Sequence, residues 1–321
     1  MQVAKRVAFA LFAVALFVAG FVALGSAQVR SGEGNLTYTR GQNVTPVYQG
    51  WTENEDGSFN LHFSYLNNNW EEEVDVPIGA DNSVTPAPYG PDAGQPTHFY
   101  PRLNRWQFTV RVPKDFGTTN EVVWTVTSHG KTAKAFATLD PGYAMDEYLI
   151  QFEFGGQPVR GRKPPTLGVD GPKERTAKIG EQVFLVAVAT DPTPPAAGRR
   201  GGGGGARRGG GPVEVRSPNQ IGPGDVGGDF VRQTAAGLRL AWLVYRGDAS
   251  KVVFDPLIPF KVWEDQRGGS PWAPGWQPPP VPPGNRWTQN VSFTAPGTYV
   301  LRALVHTGNT FTFENVTFNV R

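Results

Sequence analysis

The chain has 321 residues and is rich in Gly, Pro and aromatic residues, with 40 Gly, 29 Pro, 20 Phe, 9 Trp and 9 Tyr. It contains no Cys, which excludes disulfides, thiolate metal ligands and a Cys nucleophile. The formal net charge of +2 is too small to favour nucleic acid or an anionic membrane as a partner. This composition suits many short strands and turns, so the chain is predicted to be all-β.

The N-terminal residues have the pattern of a secretory signal peptide. Lys5 and Arg6 precede an apolar run at 7–24, and small residues at 25–27 precede Gln28. Cleavage near Ala27-Gln28 is therefore predicted, which places the mature chain outside the cell, in the periplasm or at the cell surface. The alternative is an uncleaved anchor, because about 18 apolar residues reach the lower limit for a spanning helix. Cleavage would remove two of the 30 basic residues and no acidic residue, which leaves 28 of each sign.

Alternating apolar and polar residues predict a first β-sandwich over residues 43–140, after a flexible leader at 28–42. The clearest strand is 105–112, where Trp106 and the alternate apolar residues after it are predicted to face the core, because side chains in a strand alternate faces. A turn at 128–130 is predicted to close a hairpin. The predicted strands are 58–65, 71–78, 105–112, 121–127 and 131–139.

Residues 141–179 are predicted to be a linker, because Gly and Pro interrupt every longer element. Only Phe152 and Phe154 suggest an edge strand there. A second antiparallel sandwich is predicted over 180–321. Its predicted strands are 180–191, 238–245, 251–254, 287–293, 298–305 and 310–320.

The last strand changes parity along its length. Its apolar residues are odd-numbered at Phe311 and Phe313 but even-numbered at Val316, Phe318 and Val320. Because a regular strand has a period of two, an extra residue is needed to exchange its faces. The sequence therefore predicts a β-bulge at Glu314–Asn315.

Both predicted sandwiches resemble secreted bacterial proteins. The stretches Gly180-Glu-Gln-Val-Phe-Leu-Val-Ala-Val-Ala-Thr-Asp191, Leu240-Ala-Trp-Leu243 and Ala295-Pro-Gly-Thr-Tyr-Val-Leu-Arg302 are similar to bacterial immunoglobulin-like and PKD-like repeats. This resemblance implies immunoglobulin-like β-sandwich domains. The stretches 95–101 and 123–131 resemble uncharacterised secreted proteins of soil bacteria, which implies no activity.

Two insertions in the second sandwich, 196–237 and 255–285, hold the predicted ligand-binding residues, together with Trp287 directly after the second insertion. The first is Gly-rich, is predicted to be disordered and carries a local cluster of four positive charges that could bind phosphate or an anionic glycan. The second is rich in Pro and Trp, and its rings could stack on sugars, although Trp also commonly packs into a core. The predicted residues are Arg199, Arg200, Arg207, Arg208, Trp263, Trp272, Trp276 and Trp287.

The four His residues do not form a predicted metal site, because no two lie two to five residues apart. They are predicted to be ordinary surface residues, with His98 as the one weak candidate for a metal ligand or a catalytic group. The acidic run 71–75 is predicted to oppose edge-to-edge strand pairing. No motif for a hydrolase, a nucleotide or another cofactor is present, and no cofactor is predicted.

These observations predict an exported, non-catalytic binding or structural module of the cell envelope or extracellular space. Three alternatives stay open at this point. The chain could be a carbohydrate-binding accessory protein that uses its loop Trp residues, a self-assembling surface or filament subunit, or an unrecognised hydrolase. The corresponding partners are a polysaccharide, an envelope protein or further copies of the chain.

Overall fold

The computed structural model describes residues 40–69, 71–153, 159–193, 238–256, 280–307 and 310–321. Within these ranges the chain is almost entirely β, with sixteen strands, one α-helix and three single turns of 3-10 helix. The all-β prediction is therefore confirmed. Both groups of sheets lie within one compact unit, residues 38–321.

The first sandwich is formed by eight strands. Its two main sheets have the orders β1-β2-β6 and β4-β7-β8, and the short pair β3-β5 lies beside them. These orders match the A-B-E and C-F-G strands of an immunoglobulin-type sandwich. The strands are β1 (Val44–Glu53), β2 (Phe59–Asn67), β3 (Val74–Asp75), β4 (Asn82–Thr85), β5 (His98–Phe99), β6 (Arg102–Val112), β7 (Val122–Ser128) and β8 (Lys131–Ala137).

The second sandwich also has eight strands, in two sheets of orders β9-β11-β14-β13 and β12-β15-β16-β10. The first order is that of immunoglobulin strands A-B-E-D, and the second contains C-F-G with β10 added in parallel to β16. The strands are β9 (Thr166–Val169), β10 (Glu174–Ala177), β11 (Val183–Thr190), β12 (Arg239–Arg246), β13 (Val252–Asp255), β14 (Arg286–Phe293), β15 (Gly297–His306) and β16 (Phe311–Val320).

Three buried residues give the second sandwich further features of the immunoglobulin fold. Trp242 is buried on β12, the strand at the C position, where immunoglobulin domains also carry a buried Trp. The hydroxyl of Tyr299, near the start of β15, donates to the carbonyl of Ala295 at 3.0 Å, as in a tyrosine corner. Leu301, two residues after Tyr299, is fully buried where antibody domains place a disulfide Cys. This chain has no Cys, and a buried Leu side chain stands where antibody domains have the disulfide.

The segment 141–179 is more ordered than predicted. It contains β9 and β10, which pair with β11 and β16, so the second sandwich begins before residue 180. The predicted edge strand at Phe152 is wrong, because an α-helix, α1 (Glu147–Glu153), occupies that position. The carboxylate of Asp146 accepts the backbone N–H of Leu149 at 2.7 Å, which caps the first turn of this helix.

The β-bulge predicted at Glu314–Asn315 is wrong. The pairing of β15 with β16 runs without a shift from Gly297↔Val320 to His306↔Phe311. The parity changes because the strand contacts two apolar environments in turn. Val316, Phe318 and Val320 face the sandwich core, whereas Phe311 and Phe313 point from the other face of β16 toward the first sandwich.

Gly247 offers a steric test of the close approach between β12 and β15. It has φ 104°, and a Cβ there would lie 2.7 Å from Cδ1 of Tyr299. Gly180 also has positive φ, 75°, but a Cβ there would meet nothing within 4 Å. Both replacements by Ala share the backbone strain, so Gly247→Ala is expected to lower the free energy of unfolding by roughly 1–3 kcal/mol more than Gly180→Ala. Urea denaturation measures the difference. Equal losses for the two variants would show that the contact with Tyr299 adds nothing to the cost of the replacement.

Candidate functional site

The most elaborate polar arrangement in the described residues lies where the two sandwiches meet. We call it the junction. It encloses a crevice of about 10 Å³, which is room for about one water molecule and no organic ligand. The residues that define it are Tyr100, Trp106, Gln107, Tyr245, Arg302 and Phe313.

Backbone groups on β12 dock directly onto the first sandwich. The N–H of Val244 donates to the hydroxyl of Tyr100 at 2.8 Å, and the N–H of Thr97 donates to the carbonyl of Tyr245 at 3.1 Å. The N–H of Gly247 donates to Oγ1 of Thr97 at 3.0 Å. Because β12 is an edge strand, these groups would otherwise have no partner within its sheet. The register shift between Val244 and Arg246 lies at this contact.

Arg302 is the centre of the junction. Its side chain projects from β15 and is only 3% exposed. The guanidinium carbon lies 3.5 Å from the ring centroid of Tyr245 and 3.9 Å from that of Phe313, so the cation is held between two aromatic faces. Nη1 donates to the carbonyl of Gln107 and Nε to Oδ1 of Asn315, both at 2.8 Å.

The charge of Arg302 has no carboxylate partner among the ion pairs of the described ranges. Burial lowers the pKa of its guanidinium, yet Arg keeps its proton in proteins because its ordinary pKa is so high. The ring faces and the two acceptors must therefore compensate for lost hydration. This makes the site sensitive to any change in its partners.

Two neighbours on β12 extend the polar contact. The hydroxyl of Tyr245 donates to the carbonyl of Gly94 at 2.6 Å and also contacts that of Gln107 at 3.1 Å. Arg246 forms a bidentate pair with Asp92, with N···O distances of 2.9 and 2.7 Å. The hydrogen bond from Arg246 is the main reason that the pKa of Asp92 is lowered. Several directional bonds thus link one strand of the second sandwich to the 92–97 loop of the first.

Trp106 belongs to the junction and not to the sandwich core, contrary to the prediction. A register shift between Phe63 and Tyr65 interrupts the pairing of β2 with β6, and Trp106 takes a positive φ of 55°. Its backbone N–H donates to Oγ of Ser64 at 2.9 Å. The bulge turns the ring outward, where it stacks on Phe311 at a centroid distance of 6.3 Å.

His98 lies on β5, beside the docking contacts of β12. It is 2% exposed, and both ring nitrogens contact carboxylates: Nδ1 lies 2.8 Å from Oδ1 of Asp75, and Nε2 lies 3.0 Å from Oε2 of Glu73. Burial acts to lower the pKa of His98, but the two carboxylates outweigh it and raise the pKa to about 9. We call these three residues the His98 clamp.

The His98 clamp changes the interpretation of two sequence features. The acidic run 71–75 supplies partners for a buried cation, in addition to any effect on strand pairing. Metal binding by His98 would require breaking a hydrogen bond to Glu73 or Asp75. In the part of the chain that the structure describes, no group of three metal-ligating side chains comes together.

The prediction that the other His residues are surface residues holds for one of three. His129 is exposed at the hairpin turn, 3.1 Å from Glu72. His62 lies between the hydroxyls of Thr52 and Thr109, and burial lowers its pKa to about 4. His306 is partly buried at the end of β15, where burial lowers its pKa to about 3. The alternation of apolar and polar residues did not reveal that the rings of His62 and His306 are desolvated.

Most of the predicted ligand-binding residues fall outside the described residues. Trp287 is described: it lies on β14 opposite Ala187 and packs partly buried against the second core. Its place on β14 agrees with the predicted strand 287–293, and its predicted role in ligand binding stays a prediction. The residues outside the described ranges are Arg199, Arg200, Arg207, Arg208, Trp263, Trp272 and Trp276, and their predicted roles stay predictions.

No family model and no curated protein matches the chain. Among solved structures, the N-terminal eight immunoglobulin domains of Down syndrome cell adhesion molecule align with 87% of this chain and 27% of theirs, at 11% identity and a TM-score of 0.23. The fibronectin(III)-like modules of CbhA from Clostridium thermocellum align over 87% of this chain and 94% of theirs, at 10% identity and a TM-score of 0.21. The S-layer protein rSbsC(31-844) aligns over 87% of this chain and 28% of its own, at 9% identity and a TM-score of 0.21.

Similarity at these TM-scores supports no conclusion about function or about the arrangement of the sandwiches. The fold assignment rests on the strand orders and on the buried residues of each sandwich. Across the described segments, no helix has the length and apolar character needed to cross a membrane.

Proposed function

We propose that this chain is an exported, non-catalytic structural module whose two immunoglobulin-type sandwiches are held at a fixed angle. The observation that carries the proposal is the burial of Arg302 between Tyr245 of its own sandwich and acceptors that include Gln107 of the other. Contacts between tandem domains are by default modest and allow motion. A desolvated guanidinium needs its partners in place at all times, which favours one fixed arrangement.

The bonds from Tyr245 and Arg246 support the same proposal. They reach the carbonyls of Gly94 and Gln95 and the carboxylate of Asp92, which lie on one loop of the first sandwich. Asp92 and Gly94 are exposed, but Tyr245 and Gln95 are buried. A rotation of one sandwich against the other would leave these buried groups unpaired, at about 1–3 kcal/mol each. Such a penalty suits a structural or spacing role more than a hinge.

The non-catalytic part of the proposal draws support from the His98 clamp. A general acid or base needs a ring nitrogen within reach of a substrate, whereas both nitrogens of His98 contact carboxylates in a buried position. The signal-peptide pattern at residues 1–27 supports the proposed export. An envelope protein, a polysaccharide or further copies of the chain are the partners that we propose for such a module.

The fixed angle can be measured directly, because a chain without Cys accepts paired spin labels at chosen positions. Lys134 and Lys178 are exposed, one on each sandwich. Double electron–electron resonance on the spin-labelled variant Lys134→Cys/Lys178→Cys is expected to give one narrow distribution of label-to-label distances at pH 7. Adding Arg246→Ala is expected to broaden it, since the pair with Asp92 is lost.

Arg286→Ala is the matched control for this measurement. Arg286 also pairs with an Asp, Asp170, at 2.9 Å, but both residues belong to the second sandwich. Its removal is expected to leave the distance distribution unchanged. A broad distribution in the otherwise unaltered chain would overturn the proposed function.

A further inference from the structure

The His98 clamp is built into the strand that joins the sandwiches. Thr97 and Tyr100, which bracket β5, make the hydrogen bonds to Tyr245 and Val244 described above. The ring of His98 also packs edge-on against Tyr100, with a centroid distance of 4.6 Å. The ring of His98 is therefore one of the contacts that position Tyr100 at the junction.

Residues 97–100 are also held by other contacts within the first sandwich. Phe99 is fully buried in its core, the N–H of Val76 donates to the carbonyl of Thr97 at 2.8 Å, and the N–H of Tyr100 donates to the hydroxyl of Tyr65 at 2.9 Å. The strand pair β3-β5 itself is only two residues long on each side. The side-chain bonds of His98 to Asp75 and Glu73 add to this attachment, and the ring of His98 packs against Tyr100.

The number of protons on the ring decides how many of these bonds can form. An imidazolium has two N–H donors and can satisfy both carboxylates, whereas a neutral imidazole has one donor and one acceptor. After loss of a proton, one ring lone pair would face a carboxylate oxygen at about 3 Å. Two acceptors at that distance repel, so one carboxylate must move away.

We propose that the His98 clamp is a proton-controlled latch on the junction: the doubly protonated ring fixes Tyr100 against β12, and loss of one proton loosens this contact. This inference rests on the proposed function, because it concerns the regulation of the same fixed angle. The stimulus is an alkaline medium, which an exported module meets without the buffering of the cell interior.

The groups around the ring leave His98 as the one that titrates in this range. Burial raises the pKa values of the tyrosines, so they stay neutral where His98 loses its proton. The arginines stay charged. The charged or titratable groups that face the clamp are Glu73, Asp75, Tyr65, Tyr100, Arg105, Tyr245, Asp248 and Arg302.

The direction of the pH dependence follows from the raised pKa. The folded-state pKa of His98 is about 9, above the ordinary value of 6.5. Its stabilising contribution is therefore complete below pH 6.5 and is lost as the pH rises to about 9 and beyond. The latch is closed at neutral pH.

The first experiment follows the imidazole signals of the full chain by NMR as the pH rises. We expect the His98 ring to titrate near pH 9, and Glu73→Gln to move this titration toward 6.5. Glu73 is about half exposed, so its replacement by an isosteric amide disturbs packing little. A His98 ring that titrates below pH 7 would overturn the latch.

The second experiment repeats the spin-label distance measurement between positions 134 and 178 at pH 7 and pH 10. The distribution is expected to broaden at pH 10, and His98→Gln is expected to broaden it already at pH 7. His129→Gln is the matched control, because His129 also pairs with a glutamate but is exposed at the turn between β7 and β8. It is expected to behave as the unaltered chain.

The outcomes separate the latch from the fixed angle on which it depends. A broad distribution at pH 7 in the unaltered chain removes both proposals. A distribution that is narrow at pH 7 and equally narrow at pH 10 leaves the fixed angle intact and removes the latch. If His98→Gln fails to fold, the milder variant Glu73→Gln answers the same question, since it is expected to broaden at a lower pH than the unaltered chain.

Discussion

Replacing Arg302 by Ala is expected to lower the free energy of unfolding by about 3–5 kcal/mol, because two hydrogen bonds to a buried cation are lost at about 1.5–3 kcal/mol each. Oδ1 of Asn315 would lose its donor, and the carbonyl of Gln107 would keep only the longer contact from the hydroxyl of Tyr245 at 3.1 Å. The rings of Tyr245 and Phe313 would face a cavity in place of the guanidinium. Urea denaturation measures the loss.

Two further variants show whether the effect comes from the junction. Arg302→Lys keeps the charge but lacks the planar fork that bonds both acceptors, so an intermediate loss is expected. Arg286→Ala removes an exposed ion pair with Asp170 and is expected to cost less than about 1 kcal/mol. Equal losses for Arg302→Ala and Arg286→Ala would show that burial does not strengthen the Arg302 contacts.

Arg302 shows where the sequence carried a signal that periodicity alone did not use. The stretch Tyr299–Val305 is apolar except for this one residue. Its even-numbered position also faces away from the core residues Tyr299 and Leu301, as period two requires. An isolated cation in a buried strand predicts a specific partner, but the residues that surround it come from distant parts of the chain.

The strands themselves were largely predictable, because one-sided burial imposes alternation. The hairpin β7-β8 is an example: His129 and Gly130 take φ values of 48° and 71°, which its two-residue turn requires. Alternation failed where a strand has two apolar faces. Trp106 and Phe311 follow the pattern of core residues but contact each other across the junction. No local pattern distinguishes a residue of the sandwich core from a residue of the junction.

The His98 clamp was not predictable for a related reason. The spacing rule for metal sites compares His residues with one another, so it did not connect His98 with an acidic run more than twenty residues earlier. That contact depends on the pairing of β3 with β5. Short strand pairs carry almost no periodic signal, since two residues cannot show alternation.

Trp124 carries the second large expected effect, in the core of the first sandwich. It is fully buried, and its ring lies edge-on to Phe108 at a centroid distance of 4.9 Å. Nε1 donates to Oδ1 of Asn82 at 3.0 Å. Trp124→Ala is expected to cost about 3–5 kcal/mol through lost contacts and a cavity. Trp124→Phe, which removes the N–H but keeps a ring, is expected to cost less.

Whether this destabilisation spreads to the second sandwich tests whether the junction couples the two sandwiches. Methyl NMR signals of Leu61 and Leu301 report on the first and second cores separately. If the junction couples the sandwiches, Trp124→Ala is expected to lower the denaturation midpoints of both signals together. Trp51→Ala is the control, because Trp51 is only partly buried on β1. A shift confined to Leu61 would mean that the second sandwich stays folded without the first, and the burial of Arg302 would then be too weak to fix their angle.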